Sequence, residues 1–475
     1  MYRLSVKGKI QPKSALEMKS SRLGIGLEKL DRAVFDPSKI YDKLGELGVK
    51  WIRLQSGWQR TETEKGIYHF EWLDEIVDNL IARGMTPWMC VCYGNQLYDE
   101  KAKRRFGAVG CMPIHTEEQK SAWSDYCRAL AAHYKGRVKH FEVWNEPDGD
   151  WNIETAETAT DVGLFNIATA KALKEGNSEA YVIGGSLCAT VVRFLNEALQ
   201  TGMGDYVDAI SFHEYTYAEE LVSQKVNAIR GLCNFYAPGL EIIQGESGSQ
   251  SRSGGHGALK EAAWTERKQC KQLLRHLVKD LLCGVKFTSY FTSVDMIEAL
   301  NGKVGDVASY LDYGYFGVFG AEFDGNGRSV GEYRKKQSFY VLQNLASILH
   351  GDLSETVLPV VFLSGRAPHT GFTPNITCAE ASYGGFRLDN GSLALAYWYP
   401  ANLMTTEFEG AVSLEIAASG REPERHSEIS LIDPMDGTVY GIPSEIVHAD
   451  GRGGYVFEDL PIKDYPMFLV FGKIE

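Results

Sequence analysis

Two glutamates, each closing an apolar β-rich run, are the residues whose type and setting could do chemistry. The first stands in Lys139-His140-Phe141-Glu142-Val143-Trp144-Asn145-Glu146-Pro147-Asp148, a strand pattern from Val138 to Trp144 that Pro147 stops from pairing further. An amide and a carboxylate, Asn145 and Glu146, are thereby left together at a strand's C-terminal end among aromatics. The second, Glu246, closes Leu240-Glu241-Ile242-Ile243-Gln244-Gly245-Glu246. Carboxylates rarely stay in such surroundings without a partner or a task. Two opposed carboxyl groups are what cleavage of a glycosidic bond needs: one, protonated, supplies a proton to the leaving oxygen, and the other stabilises or attacks the anomeric carbon. A separation of about 5–5.5 Å would retain the anomeric configuration, and about 6.5–9.5 Å would admit a water and invert it.

The elements that must position them come from an alternation of short β-rich runs with helical patterns from about Arg22 to Asp295, the signature of parallel βα units. Strands are read over Leu23–Leu27, Lys50–Gln55, Thr86–Cys92, Val138–Trp144, Ala180–Gly185, Asp208–His213, Leu240–Glu246 and Val285–Thr292. Helices follow them, among them Thr116–Tyr134, Thr160–Lys174, Glu261–Leu282 and Lys336–Leu349. Eight such units predict an α/β fold, a (β/α)8 TIM barrel over residues 15–350. The rival, a doubly wound open sheet, lacks its nucleotide fingerprint, because Gly24-Ile25-Gly26 continues as Leu27-Glu28-Lys29. Beyond His350 the helical period disappears, and short strands separated by turns such as Asp389-Asn390-Gly391 predict an antiparallel β-sandwich over 351–475, with 1–14 adding a strand to it.

In such a barrel, chemistry sits at the C-terminal strand ends. Strand two delivers Arg53 and Gln55 there, strand four Asn145 and Glu146, strand six His213 and Tyr215, and strand seven Glu246. Glu142 and Glu214, alternating with apolar neighbours, read as barrel-to-helix polar contacts. Of the aromatics that could carry a sugar ring (Trp88, Tyr93, Trp151 and Tyr290), Tyr290 on strand eight is favoured. The loop from Gln250 to Gly257 is soft enough to act as a moving lid, and the insertion from Met296 to Arg334 is long enough to wall a pocket.

The totals narrow the function. A chain of 475 residues with 44% hydrophobic and 23% charged residues has the make-up of a soluble globular protein with a sizeable core. The net charge of -13 argues against binding a phosphate backbone. No apolar run is long enough to span a bilayer, and the N-terminus lacks the apolar core of a signal peptide. Nine scattered cysteines fit reduced thiols in a cytoplasmic protein. Cys90 and Cys92 are not followed by a second pair at zinc spacing, and the acceptor pattern Asn375-Ile376-Thr377 has no secretory context. Neither a metal nor a cofactor is expected. The expected partner is a small carbohydrate, not nucleic acid or membrane, with a homo-oligomer left open.

Trp144-Asn145-Glu146-Pro147 on strand four with a glutamate closing strand seven resembles the 4/7 superfamily of retaining glycosidases, clan A. With Arg53, the Ser211-Phe212-His213-Glu214-Tyr215 run and the C-terminal strands around Asp433-Pro434-Met435-Asp436-Gly437, the chain most resembles glycoside hydrolase family 39, the β-xylosidase and α-L-iduronidase family. That resemblance implies Glu146 as acid/base and Glu246 as nucleophile. Asn145 would hold the sugar 2-hydroxyl, Arg53 would keep Glu246 ionised, Tyr215 would orient Glu246, and His213 would line the pocket. It implies a retaining exo-glycosidase with a β-xyloside as leading substrate; β-glucosides, β-galactosides, α-L-arabinosides or a non-catalytic carbohydrate-binding barrel are the alternatives. The surround of the second glutamate, Gly245-Glu246-Ser247-Gly248, departs from the family's usual Thr before the nucleophile.

Overall fold

The structure, a computed structural model, describes residues 4–104, 110–149, 157–189, 191–298, 312–366, 380–417 and 428–474. Eight parallel strands close a barrel: Leu23–Gly26, Trp51–Gln55, Thr86–Val91, His140–Val143, Tyr181–Leu187, Ala209–Glu214, Glu241–Ser247 and Thr288–Tyr290. These are strands one to eight below. Each falls on a run read from the sequence, and the ends shift most on strand eight, which starts at Thr288 rather than Val285.

Local chemistry fixes the helices that wrap it. Thr116 caps Glu117–His133 through a reciprocal pair with Gln119, and Thr158 does the same for Ala159–Gly176 with Asp161. The expected helix from Glu261 starts instead at Glu266. Thr265 accepts from the Lys268 backbone as its cap, and Trp264 ties the preceding turn by donating to the Leu259 carbonyl. Helical periodicity alone could not place that boundary.

The barrel interior has two unlike layers. Its floor is apolar, with Trp88, Ile183, Ala209, Ile243 and Phe287 packed together and the Trp51 ring stacked on Phe287 at 4.3 Å. Above the floor, the next inward positions are polar: Arg53, Glu142 and Ser211 are all fully buried. Glu142 is therefore a group of the barrel lumen and not the barrel-to-helix contact read from its alternation. Glu214 does reach a helix, pairing with Lys225.

After His350 the described residues form two antiparallel sheets. The seven-stranded one runs in the order Ser5–Lys9, Thr438–Gly441, Ile429–Asp433, Met467–Phe471, Leu393–Trp398, Ser382–Arg387, Ser354–Thr356. The four-stranded one runs Val360–Arg366, Glu409–Ile416, Tyr455–Lys463, Val447–Ala449. Ser5–Lys9 thus pairs with Thr438–Gly441 across nearly the whole chain length. The Asn375-Ile376-Thr377 pattern and Trp151 lie outside the described residues.

A buried polar seam joins these sheets to the barrel helices. Arg275 on Glu266–Leu282 donates to both oxygens of Glu220 at 2.8 and 2.9 Å and to the Ala401 carbonyl at 2.8 Å. Trp398 donates to the same Glu220 at 3.1 Å, and Lys271 pairs with buried Asp464 at 2.7 Å. Arg275 also lies 3.0 Å from Glu219, which is 1% exposed, so removing the arginine leaves a buried carboxyl without its counter-charge. Arg275→Ala is expected to lower unfolding stability by about 3–5 kcal/mol in urea titrations; a loss below about 1 kcal/mol would mean the seam is no more than a surface pair.

Candidate active site

The acid-bearing turn at the end of strand four is built by backbone conformation as much as by side chains. Trp144 and Glu146 both sit at positive φ, 65° and 50°, in the left-handed region that β-rich and bulky residues avoid. Across from them Ser186, at φ 54°, lies in a bulge of strand five, and its carbonyl accepts from the Glu146 backbone N–H at 2.8 Å. Such conformations cost about 1–3 kcal/mol each and persist where their surroundings over-determine them. Here the surroundings are the Trp144 ring packed against Tyr93, Trp123 and Phe165. Asp148 adds a clamp by accepting from the Cys188 and Ala189 backbone N–H groups at 2.9 Å.

Arg53 organises the carboxylates. Its Nε and Nη2 donate to Glu142 at 2.8 and 2.6 Å, and Nη2 also donates to Asn145 Oδ1 at 2.8 Å. Its Nη1 donates to Glu246, whose other oxygen accepts from Tyr215 at 2.8 Å. His213 is the second cation of the cluster. Its Nδ1 lies 2.8 Å from Glu146 and 3.8 Å from Glu246, and its Nε2 lies 3.6 Å from Glu142. Gly245 leaves the space for this cluster. A Cβ there would come within 2.9 Å of Ser211 Oγ, His213 Nε2 and Glu142 Oε1, which is the physical reason glycine precedes the glutamate in this chain.

The protonation states follow from burial set against these partners. Burial pushes the Glu146 carboxyl upward, and the negative charge of Glu246 adds to that against the opposing bond from His213. Glu246 is also buried, yet His213, Arg53 and the Tyr215 hydroxyl outweigh burial and hold it below the ordinary glutamate value. Glu142 is brought down to about 2 because Arg53, His213 and Ser211 overcome its burial. His213 is raised to about 10: burial disfavours its charge, but Glu246 and the bonds to Glu142 and Glu146 favour it more. The two catalytic candidates are thus driven in opposite directions, one toward a proton donor and one toward an anion.

Above the cluster lies a cavity of about 290 Å³. Asn145, Glu146, Tyr215 and Glu246 are at its wall with Gln55, Tyr93 and Cys188. Arg53 and His213 are fully buried behind the carboxylates, so His213 acts on Glu146 and is not a pocket-lining group. Tyr290 is likewise not the sugar platform expected. It is fully buried in the core beneath Ser249, and its neighbour Phe291 takes the wall position. On a strand of three residues a one-residue error in parity exchanges the two faces. Trp88 is core, whereas Tyr93 does reach the wall.

Sequence reasoning missed Lys29, Arg32, Glu298 and Phe316, which complete the wall. Lys29 pairs with Glu298 at 2.8 Å, and Glu298 and Phe316 come from the insertion after strand eight; residues 299–311 of that insertion lie outside the described residues. The expected lid is pinned down. Ser251 and His256 donate backbone N–H bonds to the Tyr315 and Tyr313 carbonyls at 2.9 Å, and Gln250 donates to the His256 carbonyl within the loop and accepts from the Tyr315 backbone N–H.

Residues 44–230 match the family model of glycosyl hydrolases family 39. The resemblance read from the sequence is shown by that match. The family that this model describes is one of glycoside hydrolases. An endo-1,4-beta-xylanase C from Phanerodontia chrysosporium is 28% identical over 131 residues, covering 26% of this chain and 31% of that relative, so the chain spans about a third of its length. Among solved structures, a family 39 β-xylosidase from Caulobacter crescentus superposes with a TM-score of 0.58 over 99% of both chains at 15% identity. A family 39 enzyme from Xanthomonas axonopodis pv. citri gives 0.61 over 98% of this chain and 96% of its own at 14% identity. Those two likenesses establish the shared fold.

Glu146, His213 and Glu246 also bring their ligand atoms within 4.8 Å of one another, a spacing that could suit a cation. The donor set suits a proton network better. A protonated His213 has no lone pair to offer, and Arg53 already supplies the second positive charge.

The network makes stability depend on pH in a defined direction. Glu142's folded value lies below its unfolded ~4.3, so its contribution is complete above that and is lost as pH falls through about 2. His213's folded value lies above its unfolded ~6.5, so its contribution is complete below that and is lost as pH rises through about 10. We expect the ¹⁵N signals of the His213 ring to stay those of an imidazolium well past neutrality. Titration near ~6.5 would contradict the three-carboxylate surround.

Proposed function

We propose that this chain is a retaining, exo-acting glycosidase that removes single sugars from small β-xylosides by double displacement. The observation that carries the proposal is the pairing of Glu146 with Glu246. An oxygen of each lies within 4.8 Å of the other, both approach His213, and their pKa values are pushed apart. That approach is nearer the ~5–5.5 Å separation of retaining sites than the ~6.5–9.5 Å of inverting ones and supports the retaining reading.

In the first step the Glu246 carboxylate attacks the anomeric carbon and forms a glycosyl ester, while Glu146 passes its proton to the departing oxygen. His213 is bonded to Oε1 of Glu146 at 2.8 Å and so orients the carboxyl group that gives up the proton. In the second step Glu146, now a carboxylate, takes a proton from water as that water attacks the same carbon, and Glu246 is released as an anion. Asn145 has its Oδ1 committed to Arg53, which leaves the amide nitrogen to donate to the 2-hydroxyl as positive charge develops at the ring.

The cavity of about 290 Å³ is at the small end of ligand pockets, which favours one bound sugar over an extended chain. Xylose as that sugar is supported by the xylose-acting relatives, a xylosidase in the superposed structure and a xylanase in the sequence match. β-Glucosides, β-galactosides and α-L-arabinosides share the chemistry and belong in the assay panel.

Glu246→Ala and Glu146→Ala should each lower aryl-β-xyloside turnover by at least about a hundredfold. Azide should restore Glu246→Ala with an azide product of inverted configuration, and an activated leaving group should restore the first step of Glu146→Ala. Retention of turnover in both variants would overturn the two-glutamate account, and a native chain that binds sugars but turns over none of the panel would make a non-catalytic carbohydrate-binding barrel the better reading.

The pH profile of kcat/KM should be bell-shaped, with an acid limb from Glu246 below the ordinary glutamate value and a basic limb from Glu146 above it. His213→Ala removes a cation that lowers both carboxyls, so both limbs should move to higher pH. Movement of either limb to lower pH would show that His213 is not charged in the working enzyme.

A further inference from the structure

A fourth carboxyl group stands behind the nucleophile, and none of the chemistry above uses it. Glu28, just beyond the end of strand one, is 1% exposed. Its side chain folds back over Gly26, where a Cβ would come within 1.9 Å of the carboxyl, so glycine two residues earlier is what admits it to the barrel. Glu28 Oε1 lies 3.5 Å from Arg53 Nη1, the same nitrogen that donates to Glu246, and makes no hydrogen bond among the described residues. Glu28 Oε2 lies 2.9 Å from Thr292 Oγ1, and that hydroxyl is also 3.0 Å from the Gly26 carbonyl.

The Thr292 contacts do not balance if Glu28 is ionised. A hydroxyl carries one proton and cannot donate to a carbonyl and a carboxylate together. They balance if Glu28 carries the proton: Glu28 donates to Thr292 Oγ1, and Thr292 donates to the Gly26 carbonyl. From this geometry we propose that Glu28 is a positioning residue for Glu246, held as a neutral carboxylic acid so that Arg53 Nη1 stays committed to the nucleophile. Ionised, it would place a second negative charge against Glu246 and compete for the same guanidinium N–H. The titratable and charged groups that face it are Arg53 from strand two, Tyr215 from beyond strand six and Glu246 from strand seven. Burial first, and then the charge of Glu246, push its carboxyl up to about 7 against the pull of Arg53. The cluster is then charge-balanced, with Glu142 and Glu246 as anions, Arg53 and His213 as cations, and Glu28 and Glu146 neutral.

The role assigned to Glu28 rests on Glu246 being the nucleophile, whereas its protonation is testable without turnover. In full-length protein carrying ¹³C-labelled glutamate carboxyls, one signal that is lost in Glu28→Gln should titrate near neutrality. Thr292→Val should move that titration to lower pH, because the neutral acid loses its acceptor. A signal titrating below the ordinary glutamate range, or a shift to higher pH in Thr292→Val, would overturn the proposal. In turnover, Glu28→Gln should keep kcat/KM within about threefold at the acidic side of the profile and extend the basic limb to higher pH. Loss of more than about a hundredfold at every pH would show that the ionised carboxylate is needed. If Glu246→Ala keeps full turnover, the reading of Glu246 as nucleophile fails while the carboxyl titration still decides the state of Glu28.

Discussion

One guanidinium holds the chemistry of this molecule together. Arg53 is the single cation on strand two whose N–H groups reach Glu142, Asn145 and Glu246, with Glu28 3.5 Å from one of its nitrogens. A buried arginine is tolerable only if its planar fork is matched by acceptors, and here the acceptors come from strands four and seven and from beyond strand one. Closing the barrel and neutralising Arg53 are thus the same event. The aromatic floor beneath it, with the Trp88 ring 5.6 Å from the guanidinium carbon, keeps water away and makes each of those contacts stronger than it would be at a surface.

His213 plays the complementary part. It is the second buried cation, close to Glu146 as well as Glu246, and it links their charge states. In the double displacement proposed above, the imidazolium would already be bonded to the Glu146 carboxyl as that group gives up its proton. With Glu246 as an ester, Glu146 would be the anion that balances His213. Such a site would pass through both steps with its partners fixed, which is how preorganised dipoles and charges lower a barrier without moving.

Much of this was legible in the residue order because barrel strands deliver chemistry at one end. Glu146, Asn145, Glu246, Arg53 and Tyr215 could be named from strand ends alone, and the structure brings them within bonding reach of one another. What escaped has identifiable causes. Alternation shows that Glu142 lies on the opposite face from Phe141 and Val143, but only barrel closure decides which face is the lumen. Strand eight is three residues long, too short for parity to separate Tyr290 from Phe291. Glu28 lies past a strand end and turns back over a glycine, a geometry with no period to detect. Lys29, Arg32 and Glu298 reach the cavity from segments outside the regular strands, where sequence spacing carries no direction.

The seam of Arg275, Glu220 and Trp398 has a consequence for how the chain can be divided. Glu220 follows the segment that carries His213 and Tyr215, and Arg275 sits on the helix that follows Glu246. The C-terminal sheets supply Trp398 to one of these residues and the Ala401 carbonyl to the other. Cutting the chain after the last barrel helix would leave a closed barrel whose two active-site supports had each lost a buried partner. The sheets are therefore a buttress for the chemistry rather than an attachment to it, and the smallest piece of this chain able to keep its site in shape includes them.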